Sequence, residues 1–309
     1  MATGMATADG EVTDRHIKHY TTRARGGVGL IIVEHTYVAK GGRLHQGQMG
    51  LYDDKLIPSL RRLVEAIHAE GTKVVIQLTH AGAKAPGNIT GEQPVGPWNV
   101  ILPNGSEVPR PLTIPEIKAI TVRFGEAAYR AMEAGSDSIE LHGAHGFLLC
   151  QFLSPYTNRR DDAYGGDLAG RLLFSREVIK EVKTRLGENT PLFYRFGADD
   201  MIEGGLTRQE AKLAARHLEQ AGVDVIDISG GLCGDGHERF TEQGYFIPLA
   251  EGIKRMVKVP VIGVGNITEP EYADRIVRGQ RVDMVAFGRM LLSNPEFPEQ
   301  AAQKLGVKL

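Results

Sequence analysis

The stretch EAGSDSIELHGAHG, residues 133–146, contains the pattern that decides the fold. Gly135 ends an amphipathic helix, because glycine readily adopts the conformation that closes a helix. The run 138–141 that follows is too short for a helix and is typical of a strand buried on both faces. His142 and His145 come where this strand ends. A helix, a glycine stop and a buried strand therefore succeed one another within this one stretch.

The same alternation recurs along the chain, and it predicts a parallel sheet of the (β/α)₈ TIM-barrel class. Short β-branched runs predict strands at residues 28–33, 73–78, 138–141, 191–196, 223–228, 259–264 and 282–287. Amphipathic patterns predict helices at residues 57–70, 114–134, 171–186, 207–221 and 270–278.

Seven strands are one fewer than a closed barrel of this class contains. Residues 1–10 resemble the loop that follows a strand, although no strand precedes them. Either the chain is clipped at its start or the barrel closes in another way. We therefore expect a single domain over residues 1–309 whose first strand is short or missing.

Two polar segments interrupt the alternation. Residues 86–111 are rich in Pro, Gly and Asn and contain Trp98, and residues 232–246 contain His237 and Tyr245. Both segments follow the carboxyl end of a strand, which is the face that carries the active site in such barrels. Long insertions there are typical of lids or substrate walls.

Composition narrows the class of protein further. A net charge of -2 and 24% charged residues give no reason to expect nucleic acid or a membrane surface as a partner. Cys150 and Cys233 do not form a CxxC motif, which disfavours a zinc or iron–sulfur site. The apolar runs are too short to span a bilayer, and the N-terminus lacks a signal-peptide pattern. We expect a cytoplasmic enzyme with a small-molecule substrate, and we leave a homo-oligomer open.

Chemically reactive or glycine-rich groups recur where the predicted strands end, and they should meet at one rim. They are Gln77 and His80, His142 and His145, Arg195, Ser229 with Gly230 and Gly231, residues 263–266, and Gly288 with Arg289. Gly265, Gly288 and Arg289 favour a phosphate site, since backbone N–H groups and a guanidinium bind phosphate after the last strands of barrels. The alternative is that these glycines only make turns.

The spacing of His142 and His145 does not favour a metal, because no nearby acidic or cysteine ligand completes a coordination sphere. Two imidazoles in a pocket can instead donate hydrogen bonds to an anionic oxygen, such as that of a carbonyl or enolate. Alternatively, His142 is a satisfied core histidine and only His145 faces the pocket.

At these residues the chain resembles the Old Yellow Enzyme family of FMN-dependent ene-reductases, in its NADH:flavin oxidoreductase and 2,4-dienoyl-CoA reductase branch. The resemblance extends nearly end to end. It rests on RGGVGLIIVE (25–34), IQLTHAG (76–82), HGAHGFLLCQFLSP (142–155), TNRRDDAYGG (157–166) and FGRMLLSNP (287–295).

The resemblance implies FMN at the barrel face, reduced by NAD(P)H, with hydride passing to an activated C=C bond of an unsaturated carbonyl or thioester. Gln77 and Arg195 would bind the isoalloxazine, and His142 with His145 would bind the substrate's oxygen. The other implied cofactor-binding residues are Met1, Ala2, Thr3, Gly230, Gly231, Gly265, Asn266, Gly288 and Arg289.

Three departures from the family pattern stand out. Phe147 occupies the position of the usual proton-donating tyrosine, and a phenyl ring has no proton to donate. We consider His237 and Tyr245, or water, as replacements, although His237 could equally be a loop histidine. Ala2 replaces a Thr or Cys that tunes the flavin potential. The chain ends at Leu309 without the larger relatives' iron–sulfur segment, so electrons should come directly from NAD(P)H.

Two alternative functions stay open at this point. The chain could be a flavin-free barrel enzyme acting on a phosphorylated metabolite, although no Schiff-base lysine or carboxylate pair is evident at a strand end. It could also be a truncated, weakly active member of the family.

Overall fold

The computed structural model describes residues 1–103, 105–187, 189–236 and 240–308. Within them, seven strands form one parallel sheet, and each strand pairs with the next one along the chain. All seven predicted runs overlap a strand. The strands are β1 Leu30–Tyr37, β2 Lys73–Thr79, β3 Ser138–Gly143, β4 Leu192–Gly197, β5 Val225–Ser229, β6 Val261–Gly263 and β7 Met284–Val285.

Helices connect the strands and pack against the sheet. The longer ones are α1 Asp14–Arg25, α2 Ile57–His68, α3 Ile114–Glu133, α4 Leu173–Lys183, α5 Arg208–Gln220, α6 Ile247–Lys254, α7 Pro270–Arg278 and α8 Phe297–Leu305. The predicted helix at 171–186 is in fact a short turn, Leu168–Arg171, followed by α4. Helix α1 escapes prediction because its sequence is almost entirely polar.

The two faces of the sheet bury different side chains. One face packs against the helices and forms the main core. The other face carries a small apolar cluster of Val75, Phe193, Val225 and Ile262. Two residues beyond Val75, Phe193 and Val225, the same face of the sheet carries polar side chains. These are Gln77, Arg195 and Asp227. The barrel interior therefore has an apolar floor beneath a polar mouth.

The N-terminal residues lie between β1 and β7, which are the two edges of the sheet in the described chain. The Thr3 backbone N–H and hydroxyl donate to the carboxylate of Glu34 on β1, the hydroxyl at 2.5 Å. The Met1 sulfur lies 3.0 Å from where a Cβ on Gly288, just after β7, would stand. Residues 1–3 thus contact both edges of the sheet, and the two alternatives for the missing first strand stay open.

The polar segment 86–111 contains a two-residue ladder in which Val95–Gly96 pairs with Arg110–Pro111. The second segment is described at residues 232–236 and 240–246. No helix in the described residues is long and apolar enough to cross a membrane.

Gly143 at the end of β3 gives a direct test of the packing. A Cβ there would lie 2.3 Å from the Tyr194 ring, whose hydroxyl is held 3.0 Å from Ser175 Oγ. We expect Gly143→Ala to lower the free energy of unfolding by about 1–3 kcal/mol, as overpacking does in other cores. Gly29→Ala is the matched control, since nothing lies within 4 Å of its Cβ position. Equal urea stabilities of the two variants would contradict this packing.

Candidate active site

The polar mouth of the barrel is built from neighbouring strands. Gln77 on β2 lies opposite Glu140 on β3, and its Nε2 donates to Glu140 Oε1 at 2.6 Å. Arg195 on β4 lies opposite Asp227 on β5 and forms a short ion pair with it. Arg195 Nη2 also donates to Ser229 Oγ at 3.3 Å. The structure therefore brings Gln77 and Arg195 to one surface, as the sequence predicts.

Two carboxylates share the single guanidinium of Arg195. Burial and the nearby Asp227 charge raise the pKa of Glu140 to about 8, so it is mostly protonated at neutral pH. Burial opposes the charge on Arg195, but Asp227 and Glu140 outweigh it and raise the pKa of the guanidinium. Arg195 is therefore a permanent, partly buried cation.

Several buried polar atoms of this mouth have no hydrogen-bond partner among the described residues. They are Arg195 Nε, Glu140 Oε2, Asp227 Oδ1 and His142 Nδ1. Buried polar groups are normally paired, and a group of orphaned ones indicates a missing polar ligand.

His142 and His145 lie together, with ring centroids 5.2 Å apart. His145 Nε2 lies 2.6 Å from Ser229 Oγ, and its carbonyl accepts from Lys84 Nζ at 2.9 Å. Burial lowers the pKa of both imidazoles well below the usual value, so both are neutral. The orphaned Nδ1 of His142 argues against the alternative that it is a satisfied core histidine.

Phe147 closes one side of this pair. Its ring centroid lies 4.4 Å from that of His142 and 5.2 Å from that of His35, and Lys84 Nζ lies 4.9 Å above it. Sequence reasoning missed His35 and did not assign a role to Lys84. No strand pattern indicated His35, because the predicted strand stopped at Val33.

A cavity of about 320 Å³ opens beside His145 and Lys84. Its walls include Leu102 and Glu107 from segment 86–111 and Leu232 from segment 232–246. Both segments therefore wall the site, as their position after strand ends predicts. A shallower depression of about 480 Å³, lined by Arg25 and Gln303 among others, contains none of the predicted site residues.

The predicted phosphate-binding residues lie after β6 and β7. Arg289 Nη2 donates to the Tyr245 hydroxyl at 3.0 Å, and that hydroxyl donates to the Asp235 carbonyl at 2.8 Å. A Cβ on Gly265 would lie 3.1 Å from the Tyr245 backbone nitrogen. The Tyr245 hydroxyl thus contacts Arg289, and the assignment of Tyr245 as a catalytic residue stays a prediction.

Other predicted residues have structural roles within the protein. The Asn266 side chain donates to the Thr241 carbonyl at 2.8 Å. A Cβ on Gly230 would lie 2.1 Å from the Gly234 carbonyl oxygen, and one on Gly231 would lie 2.1 Å from Asp200 Oδ1, so chain packing alone requires both glycines. His237 lies outside the described residues.

His80, another rim residue, is a satisfied buried histidine whose Nδ1 accepts from the Gly82 N–H at 3.1 Å. The described residues contain no group of three or more His, Cys, Asp or Glu side chains that could hold a metal.

The chain matches the sequence profile of the NADH:flavin oxidoreductase / NADH oxidase family over residues 1–307. It is 46% identical to an NADH oxidase of Thermoanaerobacter brockii over 98% of this chain and 48% of that protein. It is 42% identical to an NADPH dehydrogenase of Listeria monocytogenes serotype 4b over 96% of this chain and 86% of that protein.

Solved structures agree with these matches. A 2-naphthoyl-CoA reductase in complex with 2-naphthoyl-CoA superposes with a TM-score of 0.93 at 28% identity, over 97% of this chain and 48% of that one. An old yellow enzyme homologue from Zymomonas mobilis gives a TM-score of 0.87 at 26% identity, over 100% of this chain and 88% of that one. This chain spans about half the length of the NADH oxidase and the 2-naphthoyl-CoA reductase.

The fold and the site are thus those of the flavin oxidoreductases of the barrel class. The chain belongs to the NADH:flavin oxidoreductase / NADH oxidase family. This confirms the predicted fold class, the resemblance to Old Yellow Enzyme and the predicted FMN cofactor.

The donors of the barrel mouth fit FMN. Gln77 offers an amide and Arg195 a cation with an unpartnered Nε, which suit the polar edge of an isoalloxazine. Gly288 and Arg289 offer an unshielded backbone and a guanidinium, which suit a phosphate. Residues Met1 and Thr3 lie beside this surface through their contacts with Gly288 and Glu34.

The buried Glu140 predicts an unusual pH dependence of stability. Between pH 4.5 and about 8 the native carboxyl keeps a proton that the unfolded chain has lost, so the free energy of unfolding falls as pH rises. Glu140→Gln lacks this titration, and its stability relative to the wild type should rise by up to about 1.4 kcal/mol per pH unit across that window. Urea denaturation at pH 5, 6.5 and 8 measures the difference. Parallel pH profiles for both proteins would show that Glu140 titrates normally.

Proposed function

We propose that the chain reduces the activated C=C bond of an α,β-unsaturated carbonyl compound or thioester, with electrons from NAD(P)H. Residues 1–309 act as one catalytic unit in this proposal. When bound, FMN supplies the hydride-transfer chemistry between the nicotinamide and the alkene. The family match favours this function over a flavin-free barrel enzyme.

The observation that carries the proposal is the neutral pair His142 and His145 beside the partly buried cation Arg195. Neutral imidazole N–H groups donate hydrogen bonds without losing a proton to the substrate's oxygen. Donors fixed before the reaction stabilise the negative charge that develops on this oxygen, which polarises the alkene. Ser229 and Lys84 hold His145 through its ring and its carbonyl.

Gln77, Arg195, Gly288 and Arg289 are the residues that would hold the cofactor. The Arg195 charge favours an anionic reduced flavin. Asp227 keeps this guanidinium in place, while the protonated Glu140 adds no second negative charge at neutral pH.

Reduction of the alkene needs a proton as well as the hydride. Its source must differ from the usual tyrosine, because Phe147 has no hydroxyl. In this proposal the proton comes from water through the cavity beside His145 or from His237. The thioester class of substrate draws support from the structural likeness to a protein solved with 2-naphthoyl-CoA.

Removal of the histidine pair tests the function. We expect His142→Ala and His145→Ala each to slow oxidation of the reduced protein by 2-cyclohexenone roughly 10²–10³-fold, which is the usual loss of one oxyanion donor. Stopped-flow absorbance measures this step, and the bound FMN of each variant is quantified first. His217→Ala, an exposed histidine on α5, is the control. Oxidation by 2-cyclohexenone at the wild-type rate in both His142→Ala and His145→Ala would contradict the proposal.

Restoring the hydroxyl at position 147 tests the proton source. Phe147→Tyr places a phenol beside His142, and a phenol can donate a proton where a phenyl cannot. We expect faster alkene reduction and an almost unchanged rate of flavin reduction by NAD(P)H, both measured in separate half-reactions. An equal change in the two half-reactions would argue against proton delivery as the limiting feature.

A further inference from the structure

Strand β1 contains an irregularity that alters the lining of the site. Val33 pairs with Ile76 and Thr36 pairs with Leu78, so Glu34 and His35 together lie opposite the single residue Gln77. Such a β-bulge redirects side chains, and bulges are frequent beside active sites. Here it gives the barrel mouth two consecutive side chains from one strand.

Both of these side chains contact site residues. The Glu34 carboxylate accepts from Thr3. The His35 ring centroid lies 6.2 Å from that of His142 and 5.2 Å from that of Phe147. His35 therefore stands beside the pair that binds the substrate's oxygen, next to the position where the usual tyrosine is replaced.

The tautomer of His35 is fixed by Gln48, which is completely buried. Gln48 Oε1 accepts from the Leu44 N–H at 2.7 Å, and its Nε2 donates to the His35 carbonyl at 3.2 Å. The amide orientation is therefore set by two backbone groups. Gln48 Nε2 lies 2.7 Å from His35 Nδ1 and can only donate, so Nδ1 is the acceptor. The imidazole proton of His35 therefore lies on the other ring nitrogen, His35 Nε2.

His35 is consequently a neutral donor with one free N–H. Burial lowers the pKa of His35 to about 3, which leaves the ring uncharged at neutral pH. No hydrogen-bond partner for Nε2 lies among the described residues, and the ring is only partly buried. An N–H placed in this way stabilises a ligand that offers an acceptor and disfavours one that does not.

We propose that His35 is a substrate-binding residue that selects activating groups with two acceptor atoms, such as nitro, imide or carboxylate groups. This inference rests on the proposed function. A carbonyl oxygen has two lone pairs, which His142 and His145 can occupy. A third donor beside them needs a second acceptor atom on the substrate. Sites built to bind a polar group discriminate against analogues that lack it, because a donor that the bound ligand shields from water is left unpaired.

The test compares two ring compounds on the FMN-loaded protein. 1-Nitrocyclohexene carries two acceptor oxygens, and 2-cyclohexenone carries one. We expect His35→Phe to lower kcat/KM for the nitroalkene at least about 10-fold and for the enone less than about 3-fold. His35→Gln keeps an N–H donor and should restore most of the loss. Thermal melting confirms that both variants are folded.

Two outcomes overturn the proposal. One is an equal change, or no change, for the two alkenes. The other is a selective loss in flavin reduction by NADPH, which would assign the N–H to the nicotinamide.

A binding measurement keeps the inference separate from the proposed function. Benzoate carries two acceptor oxygens and benzaldehyde one, and neither has a reducible alkene. Calorimetry should find benzoate binding weakened about 10-fold in His35→Phe with benzaldehyde binding unchanged. If the wild type reduces neither alkene but this difference is found, the proposed reaction fails and the role of His35 stands. If the two ligands respond alike, the role of His35 fails.

Discussion

The barrel mouth contains the guanidinium of Arg195, which lies near the two carboxyl groups of Asp227 and Glu140. Removing Arg195 from water is costly, and its ion pair with Asp227 offsets that cost only in good geometry. Glu140 is then left in the same environment without a full countercharge, and it is neutral because it holds a proton. The Nε of Arg195 is buried without a hydrogen-bond partner among the described residues. The cofactor site depends on this arrangement.

The scaffold positions the remaining groups around this cation by simple means. Parallel strands deliver Gln77, Arg195 and the histidine pair to one face, and the apolar cluster of Val75 and Phe193 beneath them excludes water from the interior. Met1 lies against Gly288 after β7 and Thr3 bonds to Glu34 on β1, so residues 1–3 lie between the two edges of the sheet.

Much of the fold and of the candidate site could be predicted from the sequence. The residues that the sequence did not reveal were missed for physical reasons. The ends of the short, buried β-branched runs were sufficient to place Gln77, His142, His145 and Arg195. A β-bulge leaves no such signal, so His35 went unseen. The contact of the Tyr245 hydroxyl with Arg289 could not be predicted, because only the loop conformation brings the two side chains together.

The most direct measurement is a crystal structure of the protein grown with FMN. We expect one flavin per chain, with the polar edge of its ring system against Gln77 and Arg195 and its phosphate at Gly288 and Arg289. The neutral histidines would then face the ring from the side of the cavity. A flavin whose ring lies away from Arg195, or a barrel mouth that stays free of flavin at saturating FMN, would contradict the account.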